Sequence, residues 1–452
     1  MEAGLKIKSE TKPLDGGIPV FLVTWFGQVV SLIGSGLTSF ALGVWVFERT
    51  RSPIYFALIG FFAVLPKVIF SPVAGALVDR FDRRKVMILA DTGAGLGTLF
   101  IALMLFSTRL ELWHIYLSAA VSAVCGAFQW PAYTASVTQL VPKEQLGRAN
   151  GMNQFGRAAA EIFSPLLAGV LVVTIGLEGV ILIDVGTFLL AVLTLSMVRF
   201  PRLPIKQSSL NLAIFRKDLT FGWRYILTQK GLLNLLFFEM VVTFLWGMVG
   251  ALIVPMVLYF TTSDKLGALI TIAGSGMLTG SLLMTIWGGP KRRINGVIFF
   301  ELISGFCFIL IGLRPEFWLV ALGAFGAHIT IAIVFGSNQA LWQIKVAPEN
   351  QGRVFASQQM FASLASPLAY LMAGPLAEKI FEPWMAANGA FSQQLGNYIG
   401  VGLGRGIGLM FILMGLAKIG VSLLAYLNPR VRLIEDERHL RRLSLSSLLE
   451  NE

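Results

Sequence analysis

From Ile18 to Phe47 the sequence carries no Asp, Glu, Lys or Arg, and a helix needs only about 20 apolar residues to cross the hydrocarbon of a bilayer. Eleven more apolar runs follow, over 53–78, 86–107, 112–140, 151–175, 178–198, 232–260, 266–288, 294–313, 317–344, 354–377 and 402–427. Runs of this length read as membrane-crossing helices, several of them long enough to tilt or to extend beyond the membrane. The first run is also too long for a signal-peptide core and reads as a retained span.

Composition agrees: 55% of the 452 residues are hydrophobic, 13% are charged and mean hydropathy is +0.73. No water-soluble globule is built this way. The net charge of +11 does not point to nucleic acid, because Lys and Arg fall in short clusters between the apolar runs. These clusters sit in alternate loops, and the positive-inside rule then puts both termini in the cytoplasm. Cys125 and Cys307 lie inside apolar runs and are expected to be buried free thiols.

The longest polar connection, Arg199 to Lys230, splits the spans six and six. The expected organisation is a tail over 1–17, a bundle over 18–198, a loop over 199–231, a second bundle over 232–427 and a tail over 428–452. The halves are related by an internal repeat. VPKEQLGRANGMNQFGRAAAEIFSPLLAG in the first half parallels VAPENQGRVFASQQMFASLASPLAYLMAG in the second, with Gly147, Arg148, Ala168 and Gly169 matching Gly352, Arg353, Ala373 and Gly374 at a constant spacing of 205 residues. Six-helix halves repeated in parallel are a transporter architecture. The fold class expected is therefore an all-α polytopic membrane protein, with twelve transmembrane helices in two pseudo-symmetric six-helix bundles.

Between the second and third runs the chain reads GALVDRFDRRKV. This resembles the major facilitator superfamily signature G-x-L-a-D-r-x-G-r-[RK], through Gly75, Leu77, Asp79, Arg80, Arg83 and Arg84, with Asp82 where the family usually has glycine. A second copy survives only as GGPKRRINGV, with Lys291, Arg292 and Arg293 but no aspartate. The resemblance implies a gate in which Asp79 engages a facing helix, with Arg353 as its partner, when the cytoplasmic side closes. A purely topological role for these charges is the simpler alternative. In the fifth run, Gly156, Ser164, Pro165, Ala168 and Gly169 are similar to a degenerate antiporter motif g-x(3)-G-P-x-x-G-G. With ILAD in the third run and ILIDVGTFL in the sixth, the chain resembles the bacterial macrolide-efflux and enterobactin-exporter-like branch of drug:proton antiporters. The same small residues would also serve simple helix packing. Where such antiporters often carry an arginine in helix 4, this chain has Ser122, so that relay does not carry over.

Protons then need other acids. Glu161 lies roughly 20 Å along the fifth helix from Arg148 at 1.5 Å per residue, with Arg157 one turn earlier on the same face. A carboxylate and an arginine so placed suit a switching pair or a static buried ion pair. Glu239 and Asp184 are further proton-coupling candidates. Asp91 and Glu301 are expected to pair with loop arginines, Lys67 and Lys418 to snorkel or pair, and His114 and His328 to be interior or interfacial. The cavity candidates, on the helices that line the space between halves in this family, are Trp25, Gln28, Gln129, Trp130, Tyr133, Asn338, Gln339, Trp342 and Gln358, with Phe128, Phe244, Trp246 and Gln359 nearby. Aromatic faces with a few amides suit a bulky amphiphile, although Trp and Tyr also form interfacial belts.

No phosphate loop, metal-spaced His/Cys cluster or nucleophile triad is legible, so no enzyme activity, metal or cofactor is implied. The expected function is export of a macrolide-, siderophore- or peptide-like amphiphile from a bacterial cytoplasm across the inner membrane by alternating access. Protons, the substrate and the bilayer are the partners, nucleic acid is not, and the chain acts as a monomer. Uptake, a lipid or lysolipid flippase, and a non-transporting receptor or scaffold are the alternatives. The tail LIEDERHLRRLSLSSLL is open between a surface helix and disorder.

Overall fold

A computed structural model describes residues 17–78, 81–142, 146–198, 221–346 and 351–436, and there the chain is helical, with no strand among the described residues. Helix α1 (Ile18–Thr50) ends on Arg51 in the left-handed region, φ 51°, with its N–H returned to the Phe47 carbonyl. Then come α2 (Pro53–Val78), α3 (Arg83–Phe106) and α4 (Leu112–Leu140). The departure from the signature has a local reason, because Asp82 caps α3 by accepting from the backbone N–H groups of Arg84 at 3.0 Å and Lys85 at 3.4 Å. Glycine has no side chain for this work. His114 closes the first turn of α4, its Nδ1 accepting from the Glu111 N–H at 2.9 Å.

The fifth and sixth expected spans form one helical tract, α5 (Leu146–Met197), broken at Gly176 with φ 71° and ψ 179°. A straight helix of this length would run about 78 Å, more than twice the hydrocarbon. It folds back instead. α1 touches both limbs at matching depths: Trp25 meets Met152 and Gly156 on the outgoing limb, and Gly27 meets Thr194 on the returning one.

A short helix, α6 (residues 221–228), precedes α7 (Lys230–Leu258), α8 (Ser263–Trp287), α9 (Arg293–Leu313) and α10 (Phe317–Lys345). The eleventh run is interrupted between α11 (Gln351–Ser363) and α12 (Ala365–Leu376). Pro367 explains the break, since its ring displaces the carbonyl four residues back, at Ser363. The run continues beyond its expected end through a π turn (Ala377–Phe381) and α13 (Glu382–Met385). α14 (Ser392–Ile399), α15 (Arg405–Leu427) and α16 (Pro429–Arg432) complete the described chain. Among the described residues eleven helices are long and apolar enough to cross a membrane, and the fold at Gly176 makes one of them two crossings. Cys125 and Cys307 are both free, as expected, but only partly buried.

Within the first six crossings α1 packs along α5, α2 and α3 on α4, and α3 on α5. In the second six, α8 and α9 pack on α10, α15 on α9 and α12 on α7. The halves meet through α5 on α8 and α2 on α12. Where they meet is set by the apolar core. One cluster joins Val44, Phe47 and Ala57 of the first half to Leu252, Leu266, Ala369 and Ala373 of the second. At the opposite end the cores are separate: Phe21, Val78, Met87 and Leu195 pack within the first half, and Leu232, Ile294, Leu341 and Val354 within the second. Among the described residues, the molecule is sealed at the Phe47 end and divided at the end that carries the charged turn.

Polar contacts reinforce the seal. The Ser52 hydroxyl donates to Glu378 in the π turn, Tyr259 Oη donates to the Arg51 carbonyl at 3.1 Å and Ser263 Oγ to Glu48 at 3.4 Å.

Candidate functional site

The divided end leaves facing walls, on which Glu239, Asn338, Gln358, Gln28, Asp91 and Gln129 lie roughly 10–17 Å along their helices from that end at 1.5 Å per residue. On the second wall the organising group is Glu239 of α7. Its Oε1 accepts from the Trp342 indole N–H at 2.6 Å, and its Oε2 from the Gln358 amide at 2.7 Å. Asn338 completes the donors on this carboxylate. Four residues singled out in the sequence thus form one cluster from α7, α10 and α11. Trp342 is only 2% exposed, so it holds Glu239 in place from behind and does not present a face to a ligand. All these partners are neutral donors. They fix the carboxylate's orientation without cancelling its charge.

The repeat gives the cluster a context. At the 205-residue spacing Asn338 corresponds to Tyr133 and Gln358 to Asn153. In the first bundle that pair bonds directly, Tyr133 Oη donating to Asn153 Oδ1 at 2.6 Å in a buried site. In the second bundle both positions turn to Glu239 instead.

On the first wall, Gln28 donates to Asp91 at 2.7 Å and Gln129 to Gln28 at 2.8 Å, a chain across α3, α1 and α4. Asp91 therefore does not pair with a loop arginine. Nor does Glu301, which is ion-paired with Lys418 of α15 at 2.7 Å in the interior of the second bundle. Lys418 also donates to Ser304 at 2.8 Å and lies 4.5 Å from the Phe308 ring centroid and 4.7 Å from that of Trp246.

Arg157 and Glu161 are both exposed on α5, and among the described residues they form no ion pair with each other. The Arg157 guanidinium instead lies over the Trp130 ring, 4.4 Å from its centroid. Asp184 is 2% exposed and accepts from Thr98 at 3.1 Å and Ser35 at 3.4 Å, enclosed by α1 and α3 away from the space between walls. Trp25 is spent on the Met152 carbonyl at 3.0 Å, and Gln339 is exposed on α10.

The charged turn works as a clamp on helix ends. Arg84 donates to the carbonyls of Leu195 at 2.8 Å and Ser196 at 2.6 Å, satisfying groups that a helix C-terminus leaves open, and Arg83 donates to the Ala135 carbonyl in the last turns of α4 at 2.6 Å. Asp79 and Arg80 lie outside the described residues, as do the surroundings of Gly75 and the side chain of Arg353. The decayed second copy is completed from elsewhere. Glu435, beyond α16, accepts from the N–H groups of Arg293 at 3.1 Å and Ile294 at 3.4 Å at the start of α9, and Asp436 pairs with Arg292 at 3.6 Å. Sequence reasoning missed this contact because the capping acid is more than 140 residues away.

Known proteins share this plan. Macrolide efflux protein A of Streptococcus pyogenes is 30% identical over 365 residues, covering 80% of this chain and 90% of that one. The multidrug efflux pump Tap of Mycobacterium bovis is 24% identical over 374 residues, covering 80% and 87%. Two solved structures have the same fold: a bacterial homolog of the human lysosomal transporter Spinster, inward-facing and unoccupied (TM-score 0.66, 15% identity, 90% and 96% covered), and the nucleoside transporter NupG (TM-score 0.69, 11% identity, 90% and 99% covered). Residues 24–370 match the family model of the Major Facilitator Superfamily, and with twelve crossings, paired bundles and the charged turn between α2 and α3 in place, the chain belongs to that superfamily of membrane transporters.

Proposed function

We propose that the protein exports an amphiphilic small molecule from the bacterial cytoplasm across the inner membrane in exchange for protons, with Glu239 as the proton carrier. The observation that carries this reading is the Glu239 cluster: a carboxylate held by Trp342 and Gln358, on the wall of the divided end, with no basic partner among the described residues. An acid without a counter-cation is one that a proton can neutralise. Glu301, locked to Lys418, is not such an acid. Efflux proteins among the relatives support the direction of transport, and the Lys/Arg loops support cytoplasmic termini. The divided end would then face the cytoplasm. Alternating access follows if the bundles, 18–198 and 232–427, rock about this layer and seal the Asp79 end while the Phe47 end opens. A macrolide-, siderophore- or peptide-like compound suits the aromatic and amide lining.

The test is efflux from proteoliposomes under an imposed pH gradient, in which one unit supplies about 1.4 kcal/mol per proton. Glu239→Gln is expected to abolish gradient-driven efflux while preserving downhill exchange, and Glu161→Gln to leave coupling in place. Coupling lost in Glu161→Gln and kept in Glu239→Gln would move the proton site to α5. Transport indifferent to the gradient would remove the antiport reading.

A further inference from the structure

Two basic side chains stand on the first wall near the depth of the Glu239 cluster, and neither is paired. Lys67 of α2 and Arg157 of α5 are both exposed. Among the described residues no carboxylate lies within 4.0 Å of either. Unpaired cations at this depth are costly and mark a place that something else completes.

The two project into one space. α2 packs on α4 and α12, and α5 on α1 and α8, so the two helices flank the bundle with α4 and α1 between them. Arg157 reaches inward over Trp130 of α4, a residue 41% exposed, and α2, which carries Lys67, packs on that same α4. Glu161, one turn along α5, is exposed but bonded to neither cation.

The chemistry of the trio is specific. A guanidinium stacked on an indole keeps its N–H edge in plane and available to a bidentate acceptor. The Lys67 ammonium adds a point charge with three donors. Trp130 offers an apolar face beside them. We propose that Lys67, Arg157 and Trp130 form a subsite for the oxyanion of an amphiphilic substrate, with a carboxylate or similar group between the two cations and an aromatic or aliphatic body against the indole. This rests on the export reading above and narrows its substrate class to amphiphiles that carry an oxyanion.

Binding without any gradient tests the charge preference apart from coupling. The full-length protein in phosphatidylcholine nanodiscs is titrated with two xanthene dyes of opposite charge, carboxyfluorescein and rhodamine 6G, by fluorescence polarisation. The expected result is at least about ten-fold tighter binding of carboxyfluorescein, lost in the Lys67→Gln/Arg157→Gln double variant and partly kept in Arg157→Lys. Rhodamine 6G binding by the double variant should be equal or stronger, which also shows that it is folded. A wild-type preference for rhodamine 6G, or carboxyfluorescein affinity unchanged by the double substitution, would overturn the proposal. If the double variant is not monodisperse, Lys67→Gln alone and the wild-type preference decide. Failure of the gradient experiment leaves this result standing, and the reverse also holds.

Discussion

Gly169 on α5 and Gly374 on α12 occupy the two seams between the bundles, each with the other bundle's backbone where a side chain would be. A Cβ on Gly169 would stand 2.8 Å from the Ser263 carbonyl oxygen, and one on Gly374 would stand 2.6 Å from Ile54 Cα. Neither neighbour can rotate away, since both are main-chain atoms. The repeated Ala-Gly pair, 205 residues apart in the sequence, thus marks the same contact made twice: α5 on α8, and α12 on α2.

Substituting either seam glycine by valine is therefore expected to disfavour the sealed Phe47 end. Overpacking of this kind costs about 1–3 kcal/mol, enough to shift a two-state equilibrium by roughly five- to 150-fold. Spin labels at Arg49→Cys and Lys379→Cys, both exposed at that end, report its width. Gly374→Val should broaden and lengthen the distance distribution. A distribution identical to that of the parent would refute the seam argument.

The seams also show what sequence could and could not deliver. The twelve runs were legible because length and apolarity suffice to identify a membrane crossing. The repeat was legible because both copies keep Gly-Arg and Ala-Gly. The rotation of each helix was not. A membrane helix is apolar toward lipid and toward its neighbours alike, so hydrophobic periodicity does not reveal which side faces in. Glu239 and Asp184 were both proton-coupling candidates in sequence, yet Glu239 is partly exposed where α7, α10 and α11 meet and Asp184 is buried against Ser35 and Thr98. Likewise Arg157 and Glu161 share a helix face by spacing, but Trp130 on another helix takes the arginine.

Tyr259, just past α7, gives the sealed end a contact that is insensitive to pH over the working range. Burial pushes its phenol up to about 12, above the ordinary value near 10. A folded-state pKa raised in this way means the bond to the Arg51 carbonyl is fully present below about pH 10 and is lost as pH rises through about 12. The Arg49–Lys379 label distance should accordingly stay constant between about pH 6 and 9 as far as Tyr259 is concerned. Tyr259→Phe should weaken the sealed state by about 0.5–1.5 kcal/mol, equally at each pH. An effect that appears only at one end of that range would contradict it.

Asp82 and Glu435 cap equivalent helices from different places, Asp82 from the turn itself and Glu435 from the C-terminal end of the chain. Removing either cap by alanine should cost about 1 kcal/mol, read as a lower melting temperature in detergent. Truncation after Asn428 also removes the buried Val431 and Ile434, so it should cost more than Glu435→Ala while leaving the Asp82→Ala loss additive to it. A truncated chain as stable as the full one would mean that the Glu435 contact contributes nothing.

Lys418 and Glu301 test whether a buried pair in the second bundle is structural. Both are enclosed, with Lys418 at 0% exposure and Glu301 at 2%, and Trp246 and Phe308 cover the ammonium. Breaking such a pair on one side leaves an uncompensated charge and costs about 3–5 kcal/mol, whereas replacing both members by apolar residues of similar volume is close to neutral. Lys418→Met alone should therefore destabilise severely, and Lys418→Met with Glu301→Leu should recover most of the lost melting temperature. The same double variant should keep gradient-driven efflux if Glu239 is the proton carrier as proposed, because the pair lies inside one bundle. If stability returns but coupling does not, Glu301 shares the proton pathway, and the assignment to Glu239 alone fails.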